Sequence, residues 1–193
     1  MAQTTKKALA SSFKKLIMQK SFDKITVIDI VEDCEVTRQT FYYHFKDIFD
    51  LVEWIYTSEA SKALDGKKTY ETWQQGILQI FEYVLKNKAF VVSTYHSISR
   101  EHLERFLYNE TYNLLIDVIE EKAQHMTVRD DDKAFIANFY KCAFVGLMFE
   151  WIRTGMKEKP ALIVERLNII IHGDITKALE NFRVDHGVYT NQC

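Results

Sequence analysis

Proline, glycine and cysteine are all scarce in this chain. One Pro and six Gly in 193 residues leave long helices uninterrupted and argue against a β-rich fold. The three cysteines, Cys34, Cys142 and Cys193, are far apart and odd in number. They make neither a disulfide framework nor a metal spacing, so no metal or cofactor is expected, and they suit a reducing cytoplasm. No apolar run approaches the roughly 18 residues that span a bilayer, so no membrane partner is expected. The first stretch, MAQTTKKALASSF, lacks the continuous apolar core of a signal peptide. Also missing are a Gly-rich phosphate loop, a G-x-S-x-G elbow, an H-E-x-x-H pair and Cys/His zinc spacing. An enzyme is therefore not expected.

What is present is ordinary in bulk, with 47% hydrophobic and 27% charged residues. The net charge of −2 is unevenly placed. Residues 1–47 hold eight Lys/Arg against six Asp/Glu, and the remainder holds seventeen against twenty-one. The small positive excess lies in residues 1–47, the expected head, and not in 48–193, the expected body. An excess this small implies placed phosphate contacts more than a general field.

The head is organised around Thr26–Lys46, TVIDIVEDCEVTRQTFYYHFK. Thr26, with Asp29 three residues on, has the form of a capping box. Val27, Ile30 and Val31 make one apolar face at helical spacing. Cys34-Glu35-Val36 is long enough only for a turn. Thr37 then caps a second helix on which Phe41 and Phe45 face inward. Arg38, Gln39, Thr40, Tyr42 and His44 remain outward, and each can hydrogen-bond to bases or phosphates. Two helices joined by a tight turn, the second with its polar groups outward, is a helix-turn-helix. Thr37, Arg38, Gln39 and Thr40 lie nearest the bases of double-stranded DNA; Arg38 matches guanine O6 and N7, and Gln39 matches adenine. Tyr43 is either a half-buried strut or a DNA contact.

The run TVIDIVEDCEVTRQTFYYHFKD resembles the DNA-binding signature of the TetR family of bacterial transcriptional regulators. Its recurring form is a capping Thr, an apolar helix, a small-residue turn, then S/T-R-x-T-F/L-Y-x-H/Y-F-K. The resemblance implies an all-α, TetR-like fold of about nine helices. It also implies that Tyr42 and His44 grip phosphates, with Lys46 just beyond, and that the backbone amides opened by Thr26 do likewise. The chain departs from the pattern in the turn, where Cys34 and Glu35 stand in place of a small residue and Gly. Glu in a left-handed conformation costs roughly 1 kcal/mol relative to Gly.

Flanking helices follow from periodicity. Thr4–Lys20 carries Leu9, Phe13, Leu16 and Ile17, with Lys6, Lys7, Lys14 and Lys15 as either phosphate contacts or a solvated face. Phe22 plugs the head's core. Asp47 caps a fourth helix running to about Leu64, with Gly66 ending it. Thr69 opens a fifth, an apolar segment spans Phe90–Tyr95, and Ser97 or Ser99 opens a seventh over Arg100–Gln124. Asp130, Asp131 and Asp132 read as an N-cap cluster for an eighth helix, Lys133–Thr154, apolar on nearly all sides. Pro160 opens a last helix reaching Phe182, and a frayed tail follows from Val184.

The apolar surface of the last two helices predicts a homodimer paired as a four-helix bundle, through Phe139, Gly146, Phe149, Leu167, Ile170 and Ile171. A helix-turn-helix also needs a partner to read two half-sites about 34–36 Å apart. Members of the family commonly bind a small effector among helices four to eight, for which Trp54, Trp73, Tyr95, Phe106, Tyr112, Phe144 and Trp151 are the candidate lining; filling a core is the plainer reading of each of these aromatics. The head spacing followed by LVEWIY is similar to the branch containing regulators of dihydroxyacetone-kinase operons. That narrower resemblance implies an activator whose effector is a kinase-like protein subunit carrying dihydroxyacetone. The expectation is thus a dimeric, sequence-specific regulator with an unidentified small-molecule or protein effector. Its rival is a helical scaffold with a vestigial head.

Overall fold

A computed structural model of the chain describes residues 2–63, 69, 72–97, 100–171 and 173–185. Among these residues every regular element is helical. In order they are α1 (Ala2–Leu16), a 3-10 turn (Phe22–Lys24), α2 (Val27–Asp33), α3 (Arg38–His44), α4 (Ile48–Ala63), α5 (Trp73–Lys86) and α6 (Lys88–Tyr95). Then follow α7 (Arg100–Ala123), α8 (Asp130–Arg153), α9 (Pro160–Ile171) and α10 (Asp174–Phe182). The chain divides into two compact units, one of residues 1–62 and 84–106, the other of 63–83 and 107–193.

The first unit is larger than the 1–47 head, because its core continues beyond the motif. Leu9, Phe13, Leu16 and Ile17 are buried as their spacing predicts. Helix α1 ends at Leu16, short of the expected Lys20; the N–H of Lys20 turns back to the Leu16 carbonyl at 3.0 Å. Phe13 meets Phe22 and Phe90 edge-on, with centroids 5.6 and 6.2 Å apart. Tyr56, on α4, is fully buried; its ring packs on Phe90 and Phe106 at 4.8 and 5.0 Å, and its hydroxyl bonds to Thr94. A deeply buried phenol needs such a partner, and the bond joins α4 to α6. Asp47 caps α4 as read, its carboxylate accepting from the N–H of Asp50 at 2.8 Å.

In the second unit, Leu114, Leu115, Val118 and Ile119 of α7 form a continuous buried stripe. Trp73 stacks on Phe144 at 6.1 Å, and Trp151 meets Phe81 at 5.1 Å while donating its indole N–H to the Glu158 carbonyl at 2.9 Å. Thr69 lies ahead of α5 and not within it, donating its N–H to the Thr72 hydroxyl at 3.0 Å. The acidic cluster is not the cap of α8. Arg129 holds that position, and the three aspartates fill the first turn, where the helix dipole favours them. Asp130 pairs with Lys133 at 2.7 Å, which holds its carboxyl below the usual range.

The stripe read as one last helix is two, α9 and α10. Gly173 between them has φ +81°, a left-handed conformation that interrupts the helix. Among the described residues, α8 is one helix long and apolar enough to cross a membrane by length and composition, with mean hydropathy 1.3 over its best window. Asn138, Lys141 and Glu150 interrupt it, so no unbroken apolar run of about 18 residues is present, as expected. Gly66, Ser99 and the tail from 186 lie outside the described residues.

Candidate functional site

Helix α2 begins with the full capping box. The Thr26 hydroxyl accepts from the N–H of Asp29 at 3.3 Å, and the Asp29 carboxylate accepts from the Thr26 N–H and hydroxyl, both at 2.7 Å. Lys20 lies 2.7 Å from the same carboxylate. That pairing, with the Thr26 bonds, brings the Asp29 pKa down to about 2. The Thr26 side chain is therefore committed to the cap, and the amides of Val27 and Ile28 are what the box leaves for a phosphate.

The turn takes the conformation that its sequence resists. Glu35 has φ +55°, and the N–H of Val36 reaches back to the Val31 carbonyl at 2.9 Å. Cys34 serves as the small residue. Its thiol donates to the Ile30 carbonyl at 3.1 Å, and burial pushes its pKa up. Buried Ser12 donates to the same carbonyl at 2.9 Å, pinning α1 across α2.

Thr37 caps α3 by accepting from the N–H of Thr40 at 3.1 Å, and the two hydroxyls bond at 2.9 Å. Phe41 and Phe45 are buried beneath the helix. Their anchoring presents Arg38, Gln39, Tyr42 and Tyr43 together at i, i+1, i+4 and i+5, with Lys46 beyond and Thr40 and His44 half-buried beside them. Tyr43 is 82% exposed, so the half-buried strut is excluded.

The first-helix lysines divide. Lys15 pairs with Asp33 and holds its carboxyl below the usual range. Lys14 donates to the Asn87 side chain at 3.0 Å, and Lys6 stands over the Phe45 and Trp54 rings at 5.1 and 5.8 Å. Lys7 is exposed. Lys6 covering the end of the recognition helix is a contact that periodicity does not suggest, since it depends on Trp54 packing against Phe45 at 5.8 Å.

The candidate effector lining is dispersed into packing roles. In the first unit Trp54 belongs to the head's aromatic cluster, Phe106 is buried against Tyr56, and Tyr95 carries the Arg100 guanidinium 4.7 Å from its centroid. In the second unit Trp73, Phe144 and Trp151 are buried, and half-buried Tyr112 faces Lys141 at 5.5 Å. Phe144 borders a void of about 10 Å³, room for about one water.

Of the candidate dimer residues, Phe139, Gly146 and Ile170 are exposed, Phe149 is half-buried, and Leu167 and Ile171 point into the protomer's own core. Phe135, Leu147, Leu162 and Ile169 join the exposed set. The i, i+4 pairing of Phe135 with Phe139 was the signal available for the first of these.

Two family models match the chain. One, bacterial regulatory proteins of the tetR family, covers residues 14–55; the other, a transcriptional regulator C-terminal region, covers 71–173. The chain is 28% identical over 153 residues to the HTH-type dhaKLM operon transcriptional activator DhaS of Lactococcus lactis subsp. lactis (strain IL1403), across 78% of this chain and 81% of that protein. It resembles a solved dihydroxyacetone kinase operon activator DhaS with TM-score 0.71 at 24% identity, covering 93% of this chain and 98% of that one. It also resembles NalD, the secondary repressor of the MexAB-OprM multidrug efflux pump in Pseudomonas aeruginosa, with TM-score 0.61 at 14% identity and coverage of 93% and 98%. At those identities the two structures speak to the fold. With a capped helix-turn-helix in place and family models over both head and body, the chain belongs to the TetR family of DNA-binding transcriptional regulators and is not an enzyme.

Proposed function

We propose that the protein acts in the cytoplasm as a homodimer that reads a palindromic operator through Arg38, Gln39, Tyr42 and Tyr43, with Thr37, Thr40, His44, Lys46 and the amides after Thr26 setting register on phosphates. The observation that carries the dimer is the apolar stripe on α8 and α9. Phe135, Phe139, Leu147, Leu162, Ile169 and Ile170 are 45–72% exposed, which is costly for a lone protomer. Gly146 sits in the α8 part of the stripe with nothing within 4 Å of a built Cβ, leaving space for a second backbone.

The control we infer is activation through a protein partner at the body. The aromatics proposed as an effector lining pack in side-chain contacts, and the void beside Phe144 is too small for a metabolite. The Lactococcus relative is an operon transcriptional activator, which supports the same reading. Selection of genomic fragments by the purified protein, with its mass from light scattering, tests the reading. A palindrome beside a dihydroxyacetone-kinase operon and a dimer mass are expected. Fragments without a shared palindrome would return the head to the vestigial-scaffold reading, and a monomer mass would remove the bundle.

A further inference from the structure

A groove in the first unit lies between the C-terminal end of α1 and the junction of α5 with α6. Lys14 and Met18 line one side; Lys86, Lys88, Phe90 and Val92 line the other. Its volume, about 650 Å³, falls in the range of sites that take small organic molecules. Three ammonium groups stand in this lining and no carboxylate does. In a chain of net charge −2 that is a local concentration of positive charge, and a concave wall of one sign draws the opposite sign.

The wall is positioned by specific contacts. Lys14 Nζ donates to Asn87 Oδ1 at 3.0 Å and lies 5.4 Å from the Phe90 centroid. Asn87 is the residue before α6, and its side chain makes no cap bond to that helix; its oxygen is turned to Lys14 instead. Phe90 is 3% exposed and forms a floor, while Met18 is 71% exposed at the rim. An exposed thioether across the groove from Val92 offers an adaptable apolar contact.

We propose that this groove binds a small amphipathic organic anion. Its carboxylate or phosphate sits at Lys14, Lys86 and Lys88, and its apolar part lies against Met18, Phe90 and Val92. The occupant bridges α1 and α6, and α1 is itself tied to the reading motif through the Ser12–Ile30 bond. The site stands apart from the operator, dimer and partner readings, and its test needs none of them.

The test is titration of the ¹⁵N-labelled full chain with sodium dodecanoate, dodecyl phosphate, dodecan-1-ol and inorganic phosphate, each below any micelle threshold. Saturable amide shifts at Met18, Asn87, Ala89 and Ser93 are expected with an amphipathic anion, and the stronger of the two head groups names the source. Lys86→Gln/Lys88→Gln keeps the long stems and helix propensity of two exposed residues. It is expected to weaken binding about tenfold. Unchanged affinity in that variant, equal binding of dodecan-1-ol, or shifts confined to the second unit would overturn the site. Equal affinity for inorganic phosphate would overturn its apolar half.

Discussion

At the scale of single residues, Glu35 holds a left-handed conformation that its Cβ resists. Glu35→Gly is expected to stabilise the fold by about 1 kcal/mol, read as a rise of a few degrees in thermal midpoint by circular dichroism. Asp29 makes a pH-dependent contribution. Its folded pKa, about 2, lies below the ordinary aspartate value of 3.8, so the stabilisation is present above the unfolded value and is lost as pH falls toward the folded one. Solvent screening keeps the effect small. Urea midpoints for the wild type and Asp29→Asn are expected to differ more at about pH 5 than at about pH 2, because protonation removes the wild type's advantage. Arg38→Ala is expected to cost about 1–3 kcal/mol of operator affinity while leaving binding to unrelated duplex nearly intact. A gel-shift series with specific and scrambled sites checks that difference.

At the scale of elements, the helices differ in how plainly the chain announced them. The recognition helix was legible because its determinants are local: Thr37 caps, Phe41 and Phe45 anchor, and their spacing dictates what faces out. Helix α7 was legible from the recurrence of Leu103, Phe106, Leu107, Leu114, Leu115, Val118 and Ile119, all of which are buried. Helix α8 was not. A helix apolar on all sides has no phase, so nothing in it separates buried Met148 from exposed Leu147. In α9 the same ambiguity puts Leu167 and Ile171 among the dimer candidates although they are buried in the protomer, while Ile169 is exposed beside Ile170. The aromatics were ambiguous in another way, since ring stacking and ligand lining call for the same residues. The break at Gly173 was legible only as a lone glycine; its positive φ decides the matter. Gly173→Ala is expected to destabilise by about 1 kcal/mol, seen as a lower urea midpoint with an unchanged slope. Phe139→Glu/Ile170→Glu would place four charges across the proposed two-fold interface. That variant is expected to give a folded monomer, with retained helical ellipticity and half the mass by light scattering.

At the scale of the whole molecule, charge is rationed. The head's excess is only two positive charges, and the structure spends Lys15 and Lys20 on Asp33 and Asp29. Affinity for DNA then rests on few phosphate contacts per head, a number that the proposed pairing doubles. The logarithm of the binding constant is expected to fall linearly with the logarithm of salt concentration, with a slope of about −0.9 for each phosphate neutralised. Lys46→Ala is expected to make that slope shallower by about one per head without changing sequence preference, which fluorescence anisotropy at several salt concentrations measures.

The placement of the indoles has a practical side. Of three tryptophans, Trp54 lies in the first unit beneath the Lys6 ammonium and beside Phe45, while Trp73 and Trp151 are buried in the second. The protein therefore carries its own optical labels. Emission from a Trp73→Phe/Trp151→Phe variant reports on the reading end alone, and emission from Trp54→Phe on the other unit, so operator binding and partner docking can each be followed in real time with no dye attached.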